Sequence, residues 1–232
     1  MNEANNIQTP PQPPLVIPDV IGCLSFFNSD NLEIMRGFKD NEFDLAIVDP
    51  PYGIERFKAN DGGNSKKITT FGDKDKNWNN IKPSAEYWKQ LFRVSKYQIV
   101  WGGNNFELPT SEYFIVWDKG QMMPSFARCE QAWTNCKVPA KIYAKRSQDL
   151  ERIHPTQKPT DLYSWLLLNY ANNGFKILDT HLGSGSIAIA VEKANRLDKM
   201  NLHFVGIEID KEYYGKALNR IEQYCRQGTL SF

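Results

Sequence analysis

Short apolar runs alternate along this chain with stretches whose apolar residues recur at helical spacing. The runs Val20 to Phe27, Phe43 to Val48, Tyr97 to Trp101, Tyr113 to Trp117, Lys176 to Asp179 and His203 to Ile209 predict strands. Between them lie predicted helices over Asp30 to Gly37, Ser84 to Ser95, Thr160 to Tyr170, Ile187 to Asn195 and Lys211 to about Arg226. Tyr87, Leu91 and Val94 share one face of the second helix. The run ending at Val48 is stopped by Pro50 and Pro51, as expected of a buried strand that ends abruptly. Residues 118–150 read as irregular β structure, with Lys141 to Ala144 the clearest piece. Strands alternating with helices imply an α/β fold with a mostly parallel sheet and helices on both faces.

Two polar stretches frame the domain organisation. Residues 1–19 are Pro-rich and read as a flexible arm ahead of a single domain over 20–227. Residues 56–80 are rich in Lys, Asn, Asp and Gly and read as a long mobile loop, a type that is usually functional or disordered. Hydrophobic residues make up 41% and charged residues 24%, which fits a soluble chain able to bury a sizeable core. No run reaches the roughly 18–20 apolar residues that span a bilayer, and the N-terminus carries no secretory signal pattern. The expectation is a cytoplasmic protein with no membrane partner. Cys23, Cys129, Cys136 and Cys225 form no C-x-x-C pair, and His154, His181 and His203 do not complete a zinc-finger spacing, so no metal site is expected. A net charge of +1 neither announces nor excludes nucleic acid, because phosphate contact needs only a local basic surface.

The C-terminal third carries a nucleotide-binding pattern. A strand ending at Asp179 leads into Gly183-Ser184-Gly185-Ser186, then a helix, then a strand ending at Glu208. Glycines at 183 and 185 allow a tight turn and close approach to a ligand, and the helix N-terminus offers N–H groups. Glu208 can accept hydrogen bonds from both hydroxyls of a ribose. The same residues also fit a dinucleotide-binding fingerprint, so a nicotinamide dehydrogenase is a rival at this point. A third reading is glycines that merely let the helix pack closely.

Asp49-Pro50-Pro51-Tyr52 separates these readings. An aromatic amine is a weak nucleophile because its lone pair is delocalised into the ring. A site that methylates it must hold both N–H bonds so that nitrogen can turn tetrahedral. The Asp49 carboxylate and a backbone carbonyl, that of Pro50, can do so. Two prolines fix φ and remove two competing donors. Tyr52 can offer a flat face to a base. Such transfer needs positioning, electrostatics and in-line geometry, with no covalent intermediate. The competing reading is a strand-ending turn with a capping aspartate and a packed tyrosine.

Taken together, these motifs resemble the permuted, β-class DNA amino-methyltransferases of the N6-adenine type, in which Asp-Pro-Pro-Tyr precedes the glycine motif. His154-Pro155-Thr156-Gln157-Lys158-Pro159, just ahead of the glycine motif, matches that group as well. The resemblance covers Val20 to Arg226. It implies a Rossmann-like methyltransferase fold with permuted motif order and S-adenosylmethionine as cofactor. It also implies that Thr156, Gln157 and Lys158 lie near the cofactor's methionine carboxylate, Asp30 beside its adenine ring and Asp179 near its amino group. For Asp30 a helix N-cap is the alternative. The usual Asp-Pro-Phe ahead of the glycines is here Asp179-Thr180-His181. His181 is then expected to pack, stack or hydrogen-bond, with a catalytic role the lesser option.

The target amine lies inside the duplex stack, so the base must be flipped out or presented on a single strand. Lys58, Lys66, Lys67, Lys74 and Lys76, with Trp78, sit in the long loop. Lys137, Lys141, Lys145, Arg146 and Arg152 fall in the short region, 118–152, where the family carries target recognition. Both sets are expected to meet DNA phosphates, solvated charge being the alternative. The resemblance is compatible with a homodimer and with a cognate restriction enzyme. N4-cytosine methylation is the main alternative activity, and the family more often shows Ser in place of Asp49 there. Methylation of RNA or protein glutamine usually goes with the unpermuted order, and a catalytically silent DNA-binding partner would lack a core motif.

Overall fold

The structure, a computed structural model, describes residues 16–53, 81–120, 127–145 and 152–229. Nine strands form one sheet: β1 (Asp19–Ile21), β2 (Leu24–Asn28), β3 (Phe43–Val48), β4 (Ser95–Trp101), β5 (Phe114–Asp118), β6 (Cys129–Thr134), β7 (Lys141–Ala144), β8 (Lys176–Asp179) and β9 (His203–Glu208). The helices are α1 (Asn31–Gly37), α2 (Ala85–Val94), α3 (Thr160–Tyr170), α4 (Ser186–Asp198) and α5 (Lys211–Thr229). The spatial strand order is β1-β2-β9-β8-β3-β4-β6-β5-β7. Neighbours from β2 to β4 are parallel, and β7 runs parallel to β5; the pairings of β1 with β2 and of β6 with β4 and β5 are antiparallel.

The central strands are apolar throughout because both faces are covered. In β3, Leu45 and Ile47 join the core under α3, α4 and α5, while Ala46 and Val48 join the core under α1 and α2. The helix faces follow from connection handedness. From β3 the chain crosses through α2 to β4 on one side; from β8 it crosses through α4 to β9 on the other. Right-handed crossovers in opposite directions put their helices on opposite faces. Between β8 and β3 the order reverses, and in a doubly wound sheet the crevice opens there, beyond the carboxyl ends of the strands.

Two expectations are corrected. Val20 to Phe27 is not one strand but a hairpin, with β1 and β2 joined at Gly22, whose φ of +58° suits glycine. Residues 118–150 are not uniformly irregular: β6 inserts between β4 and β5 and carries regular pairing on both sides. The first strand is also tied to the last helix, Tyr214 Oη donating to Asp19 Oδ2 at 2.6 Å. No helix among the described residues is long and apolar enough to cross a membrane.

Candidate active site

The crevice at the strand reversal is lined by residues from four loops. Ser29, Asp30 and Asn31 follow β2; Asp49 and Pro51 follow β3. Asp179 ends β8 and Thr180, His181 and Gly183 follow it; Glu208 ends β9 and Asp210 follows it. His154, Thr156, Gln157 and Lys158 reach it from the segment before α3. Parallel strands point their C-terminal ends the same way, so motifs 130 residues apart in the chain meet here because β3 and β8 are hydrogen-bonded neighbours.

On the β8–β9 side, carboxylates are fixed by main-chain donors. Glu208 Oε2 accepts from Gly183 N at 2.9 Å and Oε1 from Asp210 N at 2.9 Å. Burial pushes its carboxyl above the ordinary range against these bonds. Asp179 Oδ1 accepts from His181 N at 3.0 Å. Asp179 is 4% exposed, and burial pushes its carboxyl up to about 8, with the charges of Asp49 and Glu208 adding to the rise. Asp30 caps α1, its Oδ1 accepting from Leu32 N at 2.9 Å and Glu33 N at 3.1 Å; it caps the helix and lines the crevice at once.

Of the two glycines, Gly183 lines the crevice and Gly185 does not. Both have positive φ, +52° and +71°. A Cβ on Gly185 would lie 2.7 Å from Ile221 Cδ1, so this glycine lets α5 pack against the loop. Gly185 was expected to approach the ligand as well; the contact the structure gives it is with α5. Ser184 lines the crevice, and its carbonyl accepts from Arg220 at 2.8 Å.

His181 is tied into a polar chain. Asn31 Nδ2 lies 3.3 Å from both Thr180 O and His181 Nε2. A carbonyl only accepts, so the Asn31 amide nitrogen faces both, and His181 Nε2 is an acceptor. The proton therefore sits on Nδ1, which donates to Thr180 Oγ1 at 2.9 Å, and Thr180 Oγ1 bonds Tyr87 Oη at 2.7 Å. Burial pushes the imidazole down to about 3, so it is neutral. His154 is likewise held low, at about 4, by burial and by the Lys158 charge, and its ring meets Tyr213 edge-on.

On the β3 side the anchors are side chains. Tyr52 Oη donates to Asp49 Oδ1 at 2.7 Å, and Lys158 Nζ donates to Asp49 Oδ2 at 2.5 Å. Lys158 Nζ is also 3.2 Å from Glu130 Oε2 and 5.3 Å from the Trp101 ring centroid. Glu130 pairs in turn with Lys119. Burial alone would lower the Lys158 ammonium, but Asp49, Tyr52 and Glu130 hold it well above its ordinary value. Lys158, expected at a cofactor carboxylate, thus has two carboxylates of the chain itself.

Tyr52 does not line the crevice. Its ring lies beside Gly102, whose added Cβ would meet Tyr52 Cε1 at 2.4 Å, and contacts Phe106 edge-on. Here its expected stacking face is packed and its hydroxyl serves Asp49. Pro50 is buried, and Pro51 lines the crevice. Gln157 Oε1 accepts from Ile153 N at 3.1 Å, and Thr156 Oγ1 is 3.1 Å from His154 Nδ1.

Of the expected DNA contacts, Lys58, Lys66, Lys67 and Arg146 lie outside the described residues. Lys141 Nζ donates to Asn169 Oδ1 at 2.7 Å, and Lys145 pairs with Asp161. Both therefore have partners on α3. Glu130 escaped sequence reasoning, although a signal exists. It shares the inward phase of β6 with the buried Ala132 and Thr134, and a charge on that phase calls for a buried counter-charge.

The family model described as DNA methylase matches residues 108–219. Over 237 residues the chain is 25% identical to the type II methyltransferase M.HpaI of Haemophilus parainfluenzae, covering 84% of this chain and 73% of that one. It is 23% identical to the putative methylase YubD of Escherichia coli, covering 89% and 95%. The crystal structure of the M1.HpyAVI–SAM complex superposes with a TM-score of 0.55 at 20% identity, covering 85% of this chain and 99% of that one. The cytosine-N4-specific PvuII DNA methyltransferase gives 0.54 at 11% identity, covering 88% and 92%. These likenesses agree with the Rossmann-like methyltransferase fold expected from the sequence.

Proposed function

We propose that this chain, a member of the DNA methylase family, transfers a methyl group from S-adenosylmethionine to the N6 amine of an adenine turned out of the DNA stack. One observation carries the reading: Asp49, Asp179, Gly183 and Glu208 line a single crevice at the strand reversal.

The residues present suit the cofactor. When bound, it supplies a sulfonium methyl that leaves behind a neutral thioether. Glu208 is suited to the ribose hydroxyls, because each carboxylate oxygen has lone-pair capacity beyond its one backbone bond. Asp30 at the same rim suits the adenine side, and Asp179 an amino group. Thr156 and the Gln157 amide nitrogen suit a carboxylate. Asp30, Asp49, Glu208 and Asp210 outnumber the one ammonium, Lys158, in the lining, and a cationic cofactor is favoured there.

At the target, Asp49 accepts one N–H of the amine and the Pro50 carbonyl the other, freeing the nitrogen lone pair for in-line attack. Tyr52 and Lys158 keep the carboxylate from turning away. The proton released after transfer leaves through Asp49. An Asp at the head of the motif, where N4-cytosine enzymes more often carry Ser, favours adenine; the likeness to the PvuII enzyme keeps cytosine N4 as the second reading.

The test is incubation of the purified chain with S-adenosylmethionine and unmethylated genomic DNA, followed by nucleoside mass spectrometry. N6-methyladenine is expected. N4-methylcytosine would transfer the assignment to the second reading, and neither product would end the proposal.

A further inference from the structure

Four charged side chains alternate in sign beside the crevice: Lys119, Glu130, Lys158 and Asp49. Their side chains are 22%, 24%, 4% and 17% exposed, so the chain of charge passes from the β5–β6 hairpin into the interior. Asp49 is placed at one end of it and the hairpin at the other. Glu130 sits opposite Trp117 in the β5–β6 register, and Lys119 follows β5 directly.

We propose that Glu130 is a positioning residue for methyl transfer, acting on Asp49 through Lys158; this rests on the function proposed above. A buried ammonium must rest on anions. Were Asp49 its sole carboxylate, Lys158 would lean wholly on the group that has to accept the target amine. Glu130, 3.2 Å from Nζ, takes a share of the charge from the far side, and the Trp101 ring supports it at 5.3 Å. Lys119 in turn keeps Glu130 from taking the ammonium outright. Asp49 is thereby held by a shared cation rather than captured by a dedicated one.

The experiment compares Glu130→Gln with a matched control, Asp44→Asn. Asp44 is also 24% exposed and ion-paired, with Lys96, but lies at the start of β3, at the opposite end from the crevice. Glu130→Gln keeps shape and an acceptor while removing the charge. It is expected to lower kcat by about tenfold or more, leaving the KM for S-adenosylmethionine and its calorimetric affinity within about twofold. Asp44→Asn is expected to lower the melting temperature comparably without touching kcat. Thermal melts of both variants verify folding. An unchanged kcat in Glu130→Gln overturns the inference. So does weaker cofactor affinity at constant kcat, which would put Lys158 at the cofactor instead, or an equal kcat loss in Asp44→Asn. A wild-type chain that methylates no DNA brings down the parent reading and this inference together; an active wild type with an equally active Glu130→Gln brings down this inference alone.

Discussion

On the β8–β9 side of the crevice, Glu208, Asp179 and Asp30 are held by backbone N–H groups no more than 25 residues away in sequence, and all of these anchors but that of Gly183 lie within three residues. On the β3 side, the partners of Asp49 among the described residues are side chains, one of them Lys158, 109 residues distant. Main-chain donors are as rigid as the loops that carry them, so the first set offers a preformed surface for a ligand of constant shape. Side-chain anchors can be retuned by their own neighbours, which suits a carboxylate that must meet a base arriving from outside. The same charge type thus serves two tasks, set apart by what holds it.

The sharpest way to break this contrast is Asp49→Ala. Transfer should fall by about 10³-fold or more while calorimetric cofactor affinity stays close to wild type. Substantial remaining activity would remove Asp49 from the reaction. Next in size is Glu208→Ala, which should weaken the cofactor roughly 10–100-fold, the range for loss of hydrogen bonds to a charged acceptor. Unchanged affinity by calorimetry would show that the main-chain-held carboxylates are not the cofactor surface.

The smallest effect concerns pH. An unfolded aspartate ionises near 3.8, whereas buried Asp179 does so at about 8. Between these values the folded chain holds the extra proton, so this group's contribution is fullest below about pH 4 and is lost as pH rises towards 8. Asn cannot ionise. The melting temperature of cofactor-free Asp179→Asn should therefore gain on wild type from pH 5 to 8 and then level off. A gap that stays flat across that series would show Asp179 to be an ordinary carboxylate.

The same division explains what could be read from the chain. The strands β3, β8 and β9 and the helices α2 and α3 were legible because both-face burial gives unbroken apolar runs and one-face burial gives helical spacing. β6 was not, because its inward phase reads Glu130, Ala132, Thr134: charged, small and polar. The unbroken apolar run from Val20 hid a hairpin that depends on one positive φ at Gly22. Locally anchored carboxylates could be singled out from short motifs. The partnership of Lys158 with Asp49 and Glu130 could not, since it depends on strand neighbours that no local spacing encodes. Gly185 was legible as a special position, but the reason for it, the Ile221 side chain, comes from α5.

The tie between Tyr214 and Asp19, with β2 lying alongside β9, sets the first described strand beside the start of the last helix, so the path of the chain from β1 to α5 comes back on itself. Where the ends of such a loop adjoin, the backbone can be joined there and severed elsewhere with the sheet intact. A break between β7 and His154 would send the glycine bend ahead of the proline turn and leave every crevice residue on its own element. Motif order is then a matter of where the ring is cut, and two enzymes that read in opposite directions can share one chemistry.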